Sequence, residues 1–303
     1  MPTYSFFILP PKFGAGGQGH VGVSMTGQLH LLYQQLKASG LDFEMLVYED
    51  ASPNTYYQYN KQIAELGPEI RYRKLGSNLG RASIRNLLAK EAQYQNLLFI
   101  DSDSGFPDVF VSNYLPFLDR ELDVIIAGGR IYPDKEQLEA AFWLHKKYGD
   151  EREQLNLKAV GEARYHGFQT NNFMVSKALM ISHPFDESHT GYGHEDTLWG
   201  WQLKAMDIPI ERIDNPVVHL QLMPASVFLD KQLEAIVNLK MLEIEHPDLP
   251  TKLSDFSKQW SWSKPVLKPI LMSLCPMARS RLMRKEPGSL YWLDLLKLYA
   301  YWK

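Results

Sequence analysis

The chain reads as an α/β protein: a mixed, mainly parallel sheet flanked by helices, followed by a helical C-terminal extension. Three observations predict this. Short apolar runs each stop at Pro, Gly or Asp, helical spacing fills the gaps between them, and strand patterns cease after about residue 224. Alternating strand and helix implies crossover connections, a sheet covered on both faces, and ligand sites outside the carboxyl ends of the strands.

The runs Tyr4 to Leu9, Phe43 to Tyr48, Leu97 to Ile100 and Val124 to Ile126 are the expected buried strands. Met25 to Ala38 carries Leu29, Leu32 and Leu36, and Ile84 to Ala92 carries Ile84, Leu87 and Leu88, both at helical spacing. A further helix, Ser226 to Glu245, opens the tail, which Pro250, Pro265, Pro269 and Pro276 then punctuate. The expected division is residues 1–223 for the α/β domain and 224–303 for the helical extension.

With 303 residues, 45% hydrophobic and 22% charged, the chain can bury a large core. A net charge of -3 gives no pull toward nucleic acid. Eighteen consecutive apolar residues occur nowhere, so a spanning helix is not expected. Cys275 stands alone and the opening Met-Pro-Thr-Tyr-Ser lacks a secretory signature, so a reducing cytoplasm is the expected setting. From Lys264 onward eight basic residues face only Glu286 and Asp294, interleaved with Tyr291, Trp292 and Trp302 and preceded by Trp260 and Trp262. That composition suits peripheral contact with the inner face of an anionic membrane, a homodimer interface, or a helical cap with solvated lysines.

The sharpest local pattern is Leu97-Leu-Phe-Ile-Asp101-Ser102-Asp103, two carboxylates one residue apart at the end of a buried strand. Mg²⁺ and Mn²⁺ favour such oxygens and usually share one or two carboxylates with substrate phosphates. Turn capping is the competing role. Upstream, Tyr48-Glu49-Asp50-Ala-Ser52 ends another strand, and Asn78-Leu-Gly80-Arg81-Ala-Ser-Ile-Arg85-Asn86 opens a helix whose N-terminus and two arginines suit a diphosphate. Downstream, Gly191-Tyr-Gly193-His194-Glu195-Asp196 precedes an apolar helix. Glu195 and Asp196 suit either helix capping or base catalysis on a hydroxyl. His219, inside Pro216-Val-Val-His219-Leu, is either a core histidine or a metal ligand. Asn171, Asn172, Trp199 and Trp201 have the chemistry to meet a sugar, with core packing the alternative.

In order and spacing these residues resemble the inverting family-2 glycosyltransferases of the GT-A fold, especially bacterial members that build surface polysaccharides, over roughly Tyr4 to Leu220. The resemblance implies a Rossmann-like nucleotide-diphospho-sugar transferase. It assigns donor contacts to Asp50, Gly80, Arg81, Arg85, Asp101 and Ser102, and Mn²⁺ or Mg²⁺ to Asp101, Asp103 and His219. It further implies Asp196 as general base with Glu195 positioning acceptor or donor, while Asn172 is the acceptor-contact candidate on its amide chemistry alone. A UDP-sugar donor and a glycan or lipid-linked oligosaccharide acceptor are the implied substrates. Two departures stand out: Leu9-Pro10-Pro11-Lys12-Phe13 replaces the usual turn after the first strand, and Ile84 replaces a small residue before Arg85-Asn86.

The run Gly14-x-Gly16-x-x-Gly19 also fits a dinucleotide-binding fingerprint, with Asp50 at the ribose. Here, however, 31 positions separate Gly19 from Asp50, against about twenty in that motif. His20 stands where a phosphate-binding P-loop needs lysine. An inactive, sugar-binding scaffold of the same fold is the non-enzymatic alternative, and the intact acids oppose it.

Overall fold

In the computed structural model the described residues are 3–9, 25–51, 61–118, 123–153, 157–159, 161–165, 167–188, 193–249, 251–284 and 289–303. The glycine run 14–20 lies outside them, as do Ser52, Gly191 and Tyr192. The chain divides into two units: Met1–Pro133, Glu153–Ser188 and Glu195–Gln221 form the first, and Asp134–Arg152, His189–His194 and Leu222–Lys303 the second. Residues 134–152, inside the expected 1–223 segment, thus group with the C-terminal helices.

The first unit is built on seven strands. β1 (Thr3–Leu9), β2 (Asp42–Glu49), β3 (Ile70–Lys74) and β4 (Asn96–Asp101) run parallel in the order β3-β2-β1-β4. β8 (Asn172–Ser176) then pairs antiparallel with both β4 and β6 (Ile125–Ala127), and β9 (Ile210–Arg212) closes the edge parallel to β6. Side chains alternate across the pleat, so consecutive residues of one strand feed opposite layers. Leu97 and Phe99 join Phe173, Val175 and Trp199 on one side, with α2 (Arg81–Glu91) supplying Ile84 and Leu88. Leu98 and Ile100 join Met45, Val47 and Met174 on the other, under Leu29, Leu32 and Leu36 of α1 (Met25–Ser39) and Phe110 of α3 (Phe110–Tyr114).

A second, three-stranded sheet carries the chemistry. β10 (Val217–His219) lies between β5 (Ser104–Gly105) and β7 (Arg130–Ile131), pairing His219 with Ser104 and Val217 with Arg130. The Leu220 amide donates to the Asp103 carbonyl at 2.7 Å. Three segments distant in sequence are thereby locked side by side at the carboxyl end of β4.

The second unit holds α4 (Trp143–Tyr148), α7 (Ala225–Glu245), α8 (Lys252–Gln259), α9 (Lys264–Leu282) and α10 (Tyr291–Trp302). Phe228, Leu229, Leu282 and Leu293 centre its core. No strand follows His219 among the described residues. Pro269 and Pro276 lie within α9 rather than ending it, both on its exposed side.

Gly128, after β6, is required by space. A Cβ there would lie 2.4 Å from Asn172 Nδ2, 2.6 Å from the Asn215 carbonyl and 2.6 Å from the Tyr114 hydroxyl. Gly128→Ala is therefore expected to destabilise the fold by about 1–3 kcal/mol, read as a drop in urea midpoint. An unchanged midpoint would mean that this wall yields freely.

Candidate active site

Each acid of the Asp101-Ser102-Asp103 turn meets a cationic or donor group. Arg85 Nη2 donates to Asp101 Oδ1 at 3.3 Å, and Asp103 Oδ2 lies 3.3 Å from His219 Nε2. Arg130 Nη1 is 2.7 Å from His219 Nδ1. A guanidinium can only donate, so Nδ1 accepts and the imidazole carries its proton on Nε2. That Nε2–H faces the Gln221 carbonyl at 2.9 Å and the Asp103 carboxylate. Burial pushes the Asp103 carboxyl up, but His219 and the charges of Arg130 and Arg81 outweigh it and hold it below the ordinary range.

Arg85, on α2, is 2% exposed. Its Nη2 also reaches the Thr170 carbonyl at 3.2 Å, and its guanidinium lies over the Phe185 ring at 5.4 Å. Its Nε and Nη1 are buried without a hydrogen-bond partner among the described residues, as are Ser102 Oγ and Asn171 Oδ1. Buried polar atoms are rarely left so, and this group beside an acidic turn fits a polar ligand with both donor and acceptor atoms.

At the start of α2, Gly80 takes φ 90°, a left-handed conformation natural to glycine. Asp50 accepts from the Leu79 amide at 2.6 Å and the Gly80 amide at 3.1 Å, clamping the end of β2 to the helix entrance. Asn86 holds the segment after α5 (Lys177–Ser182) through the Phe185 backbone and Glu187.

Glu195 and Asp196 open α6 (Glu195–Ala205), where the helix dipole favours negative charge. Glu195 Oε1 accepts from Arg81 Nη1 at 3.1 Å. Burial alone would raise the Glu195 carboxyl, yet the charges of Arg81 and Arg85 prevail and lower it. Asp196 accepts from the Thr170 hydroxyl at 2.6 Å and the Thr170 amide at 3.3 Å. Burial, then the neighbouring Glu195 charge, push its carboxyl up to about 6. Such a group is a carboxylate at neutral pH with a basicity suited to accepting a proton.

The expected residues Arg81, Arg85, Asp101, Ser102, Asp103, Glu195, Asp196 and His219 thus belong to one connected constellation, with Asp50 and Gly80 at its helix entrance. Asn172 lies behind it, fully buried. Its Oδ1 accepts from Tyr114 and its Nδ2 donates to the Gly129 and Asn215 carbonyls. Trp199 is 1% exposed and packs on Phe185. Sequence reasoning passed over Arg130 and Thr170. The first follows Gly128-Gly129 at a strand end and the second precedes the paired asparagines, both readable as signals.

For a divalent cation, Asp101 and Asp103 offer the hard oxygens that Mg²⁺ or Mn²⁺ prefers. No group of three His, Cys, Asp or Glu among the described residues is placed to hold one. His219 in its present tautomer offers no lone pair, since Arg130 occupies Nδ1.

The sequence profile of glycosyl transferase family 2 matches residues 29–180, half of the chain. The chain belongs to that family. Among solved structures, the mannosyltransferase PcManGT from Pyrobaculum calidifontis, in complex with GDP-Man and Mn²⁺, aligns over 96% of this chain and 78% of its own with TM-score 0.54 at 13% identity. That likeness establishes the GT-A fold for this family member. TarS from S. aureus aligns over 77% of this chain with TM-score 0.48 and 16% identity, and this chain spans only 39% of that one. Glucosyl-3-phosphoglycerate synthase from Mycobacterium tuberculosis aligns over 79% of each chain with TM-score 0.48 and 15% identity. No curated protein matches in sequence.

The electrostatics set a sign for two variants. Thr170 hydrogen-bonds the charged form of Asp196, so Thr170→Val should move its titration above 6, whereas Glu195→Gln removes a repelling charge and should move it lower. Carboxyl titration by difference infrared spectroscopy reads both, and shifts of the same sign would contradict the assignment.

Proposed function

We propose that the chain is an inverting glycosyltransferase that moves a sugar from a nucleotide-diphosphate donor, a UDP-sugar by family resemblance, to a hydroxyl of a glycan or lipid-linked acceptor. Membership of the family supports the transferase class. One observation supports the assignment of roles: Arg85 bridges Asp101 and Thr170 while Thr170 holds Asp196, so the acidic turn and a carboxylate of raised pKa share one buried cation.

Asp196 takes the proton of the acceptor hydroxyl as that oxygen attacks the anomeric carbon from the face opposite the nucleotide. The bond from that carbon to the diphosphate oxygen breaks as the new one forms, so configuration inverts without a covalent enzyme intermediate. Glu195, fixed by Arg81, orients donor or acceptor. Arg81, Arg85 and Arg130 offset diphosphate charge, while Ser102 offers its hydroxyl and Asp50 with Gly80 shapes the nucleotide pocket. Asp103, with Asp101 nearby, would hold Mn²⁺ or Mg²⁺, which when bound supplies positive charge to the departing diphosphate. His219 joins those ligands only once Arg130 releases Nδ1 and the ring changes tautomer. Asn172 contributes by bracing the wall behind Gly128-Gly129. Residues 1–223 form the catalytic domain in this reading, 224–303 its extension, and the cytoplasm its setting.

The test is nucleotide release from UDP-, GDP- and dTDP-sugars with Mn²⁺ or Mg²⁺ and with excess chelator. Chelator-sensitive release from one donor is expected, and silence across the panel with no donor binding by calorimetry would leave a sugar-binding scaffold instead. Asp196→Asn should keep donor affinity while transfer falls about 10²–10⁴-fold, and Asp103→Ala should weaken metal-dependent donor binding. Unchanged transfer in Asp196→Asn removes the base assignment. With Asp196 at about 6, the transfer rate should rise through that pH and level off above it.

A further inference from the structure

The second unit turns an apolar face outward. At 100° per residue, the inner arc of α9 carries Leu271, Ala278 and Leu282, the last two buried. About 100° round the helix from that arc, one exposed side carries Val266, Ile270 and Met277 at 66%, 49% and 40% exposure. Just before the helix, Trp262 is 77% exposed and stacks on Trp260 at 6.1 Å, which stacks in turn on Phe256 at 5.9 Å. A run of large apolar side chains this exposed is a surface for contact, not a packing accident.

Charge chooses the occupant. α9 contains Lys264, Lys268, Arg279 and Arg281 and no acid. Arg279 is paired with Asp230. Arg281 falls about 40° from the centre of that exposed apolar side, Lys268 lies on the opposite side of the helix, and Lys264 is exposed at the helix start, two residues after Trp262. Tryptophan beside lysine and arginine, around aliphatic side chains, is the composition of a helix lying in a lipid interface. Two copies of this chain meeting through the face would bring like charges together, which opposes self-association.

We propose that this exposed apolar side of α9, with Phe256, Trp260 and Trp262 at its head, docks in the plane of an anionic lipid surface. The apolar residues enter the boundary between headgroups and acyl chains, and Lys264 and Arg281 meet the headgroup phosphates. The inference rests on this surface alone and not on the catalytic reading.

Co-sedimentation of the full chain with phosphatidylcholine vesicles, with and without phosphatidylglycerol, tests it. Binding is expected to the phosphatidylglycerol vesicles, to weaken with added salt, and to fall about fivefold for each of Lys264→Gln and Arg281→Gln. Trp262→Ser with Val266→Ser should reduce it about tenfold or more, with circular dichroism and thermal midpoint unchanged because both side chains are exposed. No binding to either vesicle, or binding that ignores these substitutions, would overturn the proposal. So would a concentration-dependent dimer in light scattering that the Trp262→Ser, Val266→Ser variant abolishes, because the face would then belong to a second copy.

Discussion

The buried guanidinium of Arg85 is the constraint on which the site depends. Placing a charge where its residue is 2% exposed is strongly unfavourable unless neighbours compensate it. Asp101, the Thr170 carbonyl and the Phe185 ring do so in part, leaving two nitrogens without a partner among the described residues. The same cation lowers Glu195 and restrains the rise of Asp196. One side chain on α2 therefore couples the acidic turn after β4 to the head of α6. Removing it would disturb both ends together, so double-mutant cycles between Asp101 and Asp196 should not be additive.

The three-stranded sheet imposes a second constraint. Its strands are only two or three residues long, yet their pairing fixes His219 between Arg130 and Asp103. An imidazole has two nitrogens, and here both have partners. The residue works as a bridge between a cation and a carboxylate, and any further partner must displace one already there.

Much of this was legible from residue order. β2 and β4 are covered on both faces, so Met45 to Tyr48 and Leu97 to Ile100 read as unbroken apolar runs, and the acids at their ends fall where an α/β sheet binds ligands. Arg81, Arg85, Glu195 and Asp196 announced themselves as charges at helix starts. β3 was hard to see because Arg71, Arg73 and Lys74 lend an edge strand the look of a polar loop. β5, β7 and β10 are too short for any period to emerge. Arg130 and Thr170 gain meaning only through tertiary neighbours, which no local pattern encodes. The prolines of α9 read as breaks, yet the helix runs through them.

Those prolines limit how α9 can be used. Proline has no amide hydrogen, so Pro269 and Pro276 leave the carbonyls of Pro265 and Met272 without their usual partners along the helix. Unpaired carbonyls are tolerated beside water and penalised in hydrocarbon. The helix is thus suited to a hydrated boundary and ill suited to full immersion, a depth limit written into its backbone rather than its side chains.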